Sequence, residues 1–329
     1  MSDPGDVGPR RFGGAATRAP TLGAVTTAAP AASPPVARSL RRRVGAYVAL
    51  TKPRIIELLL VTTVPTMIVA AGGMPPLWLI AATVAGGAFA AGGANAMNMV
   101  IDRDIDAVMQ RTQNRPLVTG EMTPRAALAF AVALEVVAFA WLWSLVNLLS
   151  ASLAVAACLF YVFVYSLWLK RSSQQNIVIG GAAGAVPVLI GWSAVTGSLG
   201  WAPLVLFAVI FFWTPPHFWA LAIRYRDDYS AADVPMLPSV VSLRSTSRQI
   251  LAYTVLVWAL TLLFVPVADM RALYLVAAVV LGAVFTAKAV QLLRTASPSV
   301  AMGLFTWSIT YVTLLFGAMA LDRLVPLGW

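Results

Sequence analysis

Nine times along this chain an apolar run reaches the length a helix needs to cross about 30 Å of hydrocarbon. The runs lie near residues 55–72, 77–99, 126–144, 147–168, 176–196, 202–223, 250–268, 272–291 and 301–320. Such runs leave few choices, because in lipid every backbone N–H and C=O must be bonded within its own helix or around a closed barrel. The alternating pattern of a membrane barrel is absent. The expected fold class is therefore an all-α polytopic membrane protein of about nine transmembrane helices. With 60% hydrophobic and only 11% charged residues, the composition excludes a water-soluble globular fold.

The net charge of +10 would suggest nucleic acid in a soluble protein, but its placement argues for no nucleic acid partner. With the N-terminus taken as cytoplasmic, the tail and the even-numbered connections, with the helix ends beside them, hold every Lys and Arg except Arg271 and Arg323. That asymmetry is the positive-inside pattern and sets the expected orientation as N-in/C-out. Residues 1–45 are rich in Ala, Pro, Gly and Arg without an apolar signal core, and read as a disordered cytoplasmic tail. Residues 46–329 form the membrane domain. Arg38 and the run Arg41, Arg42, Arg43 are expected against anionic headgroups. The single cysteine, Cys158, excludes an intrachain disulfide and reads as a small buried apolar residue.

Charge is concentrated in two long even connections, at about 101–124 and 224–249, so chemistry is expected on the cytoplasmic face. The first follows the segment "ANAMNMVIDRDIDAVMQRTQNRP", which begins at Ala94. Asn98, Asp102 and Asp106 are spaced i, i+4, i+8, which on a helix places them on one face within roughly 80°. Three of just thirteen acids stand at this one membrane boundary, which marks function rather than an ordinary solvated helix end. Such a face suits a hard cation such as Mg²⁺, which takes one or two carboxylates and completes its shell with water and substrate phosphate. Asp102 and Asp106 are its expected ligands. Arg111 and Arg115 follow, and the fourth run ends in Lys170 and Arg171 with Asn176 just beyond. Cations beside a metal-binding face are what a diphosphate requires. For Arg171 the simpler reading, a snorkelling side chain, is preferred.

The second connection follows "WTPPHFWALAIRYRDDYSAADVPMLP", from Trp213 to Pro238. Pro215 and Pro216 are expected to break or kink the sixth run. His217, the only histidine of the chain, follows them between Trp213, Phe218 and Trp219. Structural hydrogen bonding and chemistry stand about level as its roles. Asp227, Asp228 and Asp233 form a second acidic set without i, i+4 spacing.

At these residues the chain resembles the UbiA-type intramembrane prenyltransferases. The superfamily signal is Asn-x3-Asp-x3-Asp, here Asn98, Asp102 and Asp106. Within the superfamily, "LTKPRIIELLL" from Leu50, "DRDIDAVMQRTQNRPL" from Asp102, "LKRSSQQNIVIGGAAGAVP" from Leu169, "TPPHFWALAI" from Thr214 and "DVPMLP" from Asp233 are similar to the branch that farnesylates haem. The likeness runs from Leu50 to the C-terminus. The superfamily's second Asp-x3-Asp motif has no copy here, which leaves a second metal site, and Asp228 as its choice, open. The resemblance implies nine helices around a central cavity that opens sideways to lipid. It implies that farnesyl diphosphate, haem B and water give haem O and diphosphate in the cell membrane, with Mg²⁺ as cofactor and haem B as substrate.

The roles it implies are metal binding for Asp102 and Asp106, metal or diphosphate contact for Asn98, and diphosphate contact for Arg115 and Lys170. Arg111, Asn176, Trp213 and Asp228 are further substrate-binding candidates, with His217 serving the haem side. Partners beyond the lipid bilayer are haem A synthase or factors that assemble terminal oxidases. Two rival readings are prenyl transfer to an aromatic acceptor such as a hydroxybenzoate, and a secondary transporter. A transporter places its coupling acids near the midplane, where only Glu135, in the third run, lies.

Overall fold

The computed structural model describes residues 40–325, and the side chains of all of them except 54–60. The expected tail therefore lies outside the described residues up to position 39, Arg38 with it. Residues 40–45 open the first helix, α1 (Leu40–Thr51). The spans follow as α2 (Pro53–Ala71), α3 (Leu77–Ile101), α5 (Pro124–Leu145), α6 (Leu148–Ser172), α7 (Asn176–Thr196), α8 (Trp201–Arg224), α11 (Leu243–Val267), α12 (Ala272–Thr295) and α13 (Pro298–Leu324). Short helices occupy the two long connections: α4 (Arg103–Val108) in the first, α9 (Arg226–Ala231) and α10 (Leu237–Val240) in the second. Among the described residues eight helices, α3, α5 to α8 and α11 to α13, are long and apolar enough to cross a membrane. α2 stands where the first run is expected, and its described apolar stretch is Val61–Ala71.

Polar residues at the run ends explain where these helices start and stop. Thr123 caps α5 by accepting from Ala126 N at 3.3 Å, with Pro124 at the first helical position. Asn147 ties two helix ends together. Its Oδ1 accepts from Ser150 N at 2.8 Å to start α6, while its Nδ2 donates to Ser193 O at 2.8 Å near the end of α7. Without a hydrophobic drive between helices in lipid, close backbone approach through small residues does the packing. A Cβ on Gly93 of α3 would stand 3.0 Å from the Ala131 carbonyl oxygen of α5 and 2.6 Å from Glu135 Oε1. α3 and α5 pack tightly on that account, and Glu135, near the middle of its span, lies against Gly93 with its Oε1 buried and without a hydrogen-bond partner among the described residues.

The largest apolar core lies among α7, α8, α11, α12 and α13, with smaller ones between α3, α5 and either α1 or α6. α8 answers one half of the expectation that Pro215 and Pro216 break or kink the sixth run. It runs from Trp201 to Arg224 through Pro215 and Pro216 without a break. The two missing N–H groups are tolerated because Trp213 to His217 are all buried by neighbouring helices, and Thr214 Oγ1 adds a bond to Ile210 O at 2.9 Å.

Charges at the end of the bundle away from the two long connections are structural. Asp322 of α13, 2% exposed, accepts from Arg271 N at 2.7 Å and Tyr274 N at 3.0 Å, and so satisfies the free N–H groups where α12 starts. Arg323 donates to Ala268 O beyond the end of α11. Arg271 and Arg323 are the two cations outside the positive-inside pattern, and the Arg271 guanidinium reaches Val325 O at 3.5 Å. Asp322→Ala should lower unfolding stability by about 2 kcal/mol, since it orphans two helix-start N–H groups, that of Tyr274 buried. Thermal unfolding in detergent checks this, with specific activity of the folded fraction unchanged.

Candidate active site

α3 ends at Ile101 and α4 starts at Arg103, so Asp102 sits between two helices with φ −89° and ψ 8°. The i, i+4 ladder nevertheless runs through this point. Asp102 N–H donates to Asn98 O at 2.9 Å and Asp106 N–H to Asp102 O at 2.8 Å. Asn98, Asp102 and Asp106 thus keep their common face, and they are 4%, 0% and 2% exposed.

Burying carboxylates is costly unless each is paired and hydrogen-bonded, and here each motif side chain has its own cation. Lys170 Nζ donates to Asp102 Oδ2 at 2.5 Å, Arg115 Nη1 to Asp106 Oδ2 at 2.5 Å, and Lys52 Nζ to Asn98 Oδ1 at 3.0 Å. The Asn98 amide in turn donates to Asp102 Oδ2 at 2.6 Å and to Ser166 Oγ at 3.1 Å. Arg171 is more than a snorkelling side chain. It donates to both oxygens of Asp104 at 2.7 Å and to Ile101 O at 3.1 Å, closing the end of α3. That guanidinium holds the Asp104 carboxyl well below the usual carboxylate range. In the break before α2, burial pulls the Lys52 ammonium down to about 7. Arg115 and Lys170 act in the same direction, against Asp102 and Asp106. Positive charge is therefore in excess around Lys52, and an arriving anion would raise its pKa again.

The sequence spacing does not disclose Lys52, Ser166 or the reason Lys170 arrives where it does. α6 changes to π-helix over Phe160–Leu169, a rare winding that often accompanies functional sites. Ser166 Oγ donates to the carbonyl of Tyr161, five residues back, at 2.9 Å. The Tyr161 and Tyr165 rings stack 5.3 Å apart. This wide turn carries two aromatic rings, the serine that holds Asn98, and Lys170 at its end.

These groups surround a cavity of about 670 Å³ ringed by α2, α3, α6, α7 and α8. Lys52, Asn98, Asp106, Arg111, Arg115 and Lys170 line its polar mouth; Ala90, Ala91 and Ala94 of α3 and Ala154 and Ala157 of α6 line its apolar depth. Tyr161, Tyr165, Trp213 and Phe218 supply aromatic wall. The two long connections meet above it. Arg111 N donates to Asp228 Oδ2 at 3.4 Å, and the Arg111 guanidinium lies 5.7 Å over the Tyr225 ring.

Several candidates stand apart from the cavity. Asp228 reaches the site only through Arg111, while Asp227 and Asp233 are exposed. Asn176 is fully buried with neither amide atom hydrogen-bonded, yet it is outside the lining, next to Ile177, which is in it. Trp219 is buried against Tyr253, not in the wall. His217 stands one layer behind the wall. It stacks on Trp213 at 4.3 Å and Phe305 at 4.7 Å, and its Nδ1 is 2.7 Å from Ser308 Oγ. Ser308 has one hydroxyl proton and gives it to Phe305 O at 2.6 Å.

Among the described residues no three His, Cys, Asp or Glu side chains gather into an all-protein metal cage. The fit is to a cation that needs fewer. Asp102 Oδ1 is a buried carboxylate oxygen with no hydrogen-bond partner, its nearest cation being Arg171 at 3.9 Å. Two carboxylates, Asp106 in the cavity lining and Asp102 buried beside it with one free oxygen, match the incomplete protein shell that Mg²⁺ prefers.

The model of the UbiA prenyltransferase family matches residues 59–311. The chain is 52% identical over 308 residues to the protoheme IX farnesyltransferase of Kineococcus radiotolerans, covering 87% of this chain and 90% of that one. Among solved structures, a digeranylgeranylglyceryl phosphate synthase aligns with a TM-score of 0.72 and 16% identity over 85% of this chain and 98% of its own. A UbiA homolog from Archaeoglobus fulgidus, solved with GPP and Mg²⁺, aligns with a TM-score of 0.56 and 16% identity, covering 83% and 99%. Likeness at such identities establishes the helical fold.

Stability separates the ion pairs from any chemistry they serve. Lys170→Met should destabilise the fold by about 3 kcal/mol, because it strands the Asp102 charge in a buried position. Adding Asp102→Asn should recover most of that loss, while activity stays lost. Paired thermal unfolding and turnover assays read both quantities.

Proposed function

The chain belongs to the UbiA prenyltransferase family, and we propose that it transfers the farnesyl group of farnesyl diphosphate to a vinyl group of haem B, with water, to give haem O and diphosphate. One observation carries this reading: Asp106 and the cations Lys52, Arg111, Arg115 and Lys170 line the mouth of an apolar cavity, with Asp102 buried against Lys170. That is the shape of a ligand with a doubly phosphorylated head and a hydrocarbon tail. Haem as the acceptor is supported by the relatives, which are farnesyltransferases of protoheme, and not by the cavity alone. A transporter is disfavoured because the paired acids lie at one helix end.

Mg²⁺ held by Asp102 and Asp106 would draw negative charge from the departing diphosphate. Arg115 and Lys170, already aimed at the mouth, bind the diphosphate oxygens and stabilise them as the C1–O bond breaks and its electron pair leaves with the diphosphate. Asn98, fixed by Ser166, orients the acid face. The vinyl group of haem attacks C1 of the farnesyl cation. Water then captures the resulting haem cation as a hydroxyl, and its proton passes to diphosphate. The aromatic wall of Tyr161, Tyr165, Trp213 and Phe218 keeps water from the allylic cation until the vinyl group has reacted. We place the mouth on the cytoplasmic side of the cell membrane, with the product passing to haem A synthase or oxidase assembly factors. The clustering of Lys and Arg at this end supports the orientation.

Purified chain given farnesyl diphosphate, haem B and magnesium should form haem O, identified by mass. Asp102→Asn and Asp106→Asn should each lower turnover at least ~100-fold without unfolding the protein. Near-normal turnover in a folded Asp102→Asn protein would refute the metal assignment. His217, behind Trp213, serves the haem side in this reading. His217→Ala should weaken haem B binding and leave magnesium-dependent binding of farnesyl diphosphate intact. Direct ligation of iron adds a Soret shift, whereas support of the Trp213 wall does not. Lost thermal stability with a fully active folded fraction would reduce His217 to a brace.

A further inference from the structure

Four non-glycine residues stand at positive φ among those described, and Lys52, with φ 51° and ψ 65°, is the one that lines the cavity. A left-handed conformation costs a lysine about 1 kcal/mol, which glycine or asparagine would avoid. Pro53 explains why Lys52 leaves the right-handed region, but a following proline favours extended backbone, not left-handed. The turn is held from outside, since Asn95 Nδ2 donates to Thr51 O at 3.2 Å. Its effect is to bring the Lys52 ammonium into the mouth, 3.0 Å from Asn98 Oδ1. Strain of this kind persists where function requires the position.

The partner of Lys52 sets it apart. Lys170 and Arg115 are each neutralised by a carboxylate, whereas Lys52 touches only a neutral amide and has no ion pair among the described residues. We propose that Lys52 is a third diphosphate-binding cation, acting with Arg115 and Lys170 on the head of the prenyl substrate. This rests on the reading of the site as one for a prenyl diphosphate. Asp102 and Asp106 are matched by Lys170 and Arg115, so the charges of Lys52 and of Arg111, which also lines the mouth, are in excess. A prenyl diphosphate carries about three negative charges near neutral pH. Removing Lys52 takes one positive charge from the face that meets the diphosphate, where the dielectric is low. The same ammonium that rests on Asn98 Oδ1 then turns to a diphosphate oxygen and leaves the amide oxygen free.

Lys52→Met keeps the length of the side chain and removes its charge; Lys52→Arg keeps the charge. Calorimetric titration with farnesyl diphosphate in magnesium should show Kd at least ~10-fold higher for Lys52→Met and near wild type for Lys52→Arg. Inorganic diphosphate should show the same loss, while haem B affinity from Soret titration and the midpoint of thermal unfolding stay close to wild type. Unchanged diphosphate affinity in Lys52→Met overturns the proposal. So does a parallel loss of haem binding and thermal stability, which would make Lys52 a clamp on Asn98. A wild-type protein that binds no farnesyl diphosphate at all would instead overturn the reading of the site on which the proposal stands.

Discussion

Charge inside a membrane bundle persists only in compensated sets, and the end of α3 is where this protein gathers its set. Asp102 and Asp106 are almost wholly buried, so each requires its own cation, and those cations must come from elsewhere in the chain. Lys170 arrives from the end of α6 for Asp102 and Arg115 from the loop after α4 for Asp106, while Lys52, from the break before α2, reaches the amide of Asn98. Three separate parts of the fold are thereby bound to one helix end. The same cations line the mouth of the cavity, so the groups that make the buried acids tolerable are also the groups that meet an anionic head.

The rest of the bundle keeps this arrangement in place. Gly93 lets α3 pack close to α5, and Asn147 joins the start of α6 to the end of α7. At the opposite end Asp322 and Arg323 satisfy helix termini and line no part of the cavity. The two ends of the molecule thus use charge differently: one end balances it within the fold, and the other leaves an excess of positive charge facing a cavity. An isoprenoid diphosphate unites in one molecule the apolar body and the anion that such a cavity accepts.

Most of the site could be read from spacing. Asn98, Asp102 and Asp106 at intervals of four declare a common face, and the ladder through Asp102 preserves that face even where the helix is interrupted. The apolar runs give the helices, because length and hydropathy are local properties. What escapes the sequence depends on winding or on contacts between distant residues. Nothing in "FYVFVYSLWL" announces a π-helix, so the joint placement of Tyr161, Ser166 and Lys170 is hidden. Lys52 stands before a proline, a hint of a helix break, but its left-handed turn is fixed by Asn95 from another helix. The prolines of α8 mislead in the other direction, because burial by neighbours keeps intact a helix that would break alone. His217 lies beside the expected aromatic residues, yet packing puts it behind Trp213 and not in the cavity wall.

A cavity that activates an allylic diphosphate needs an acceptor, and the acceptor decides what the enzyme is for. The most direct test uses membranes of a host that makes haem B as its only haem, with this chain expressed or absent and the pigments extracted and weighed by mass. The reading given above predicts a new, more hydrophobic haem, heavier by one farnesyl group and one hydroxyl, that depends on the chain. An unchanged haem B profile, with the chain folded in the membrane and farnesyl diphosphate supplied, would contradict it.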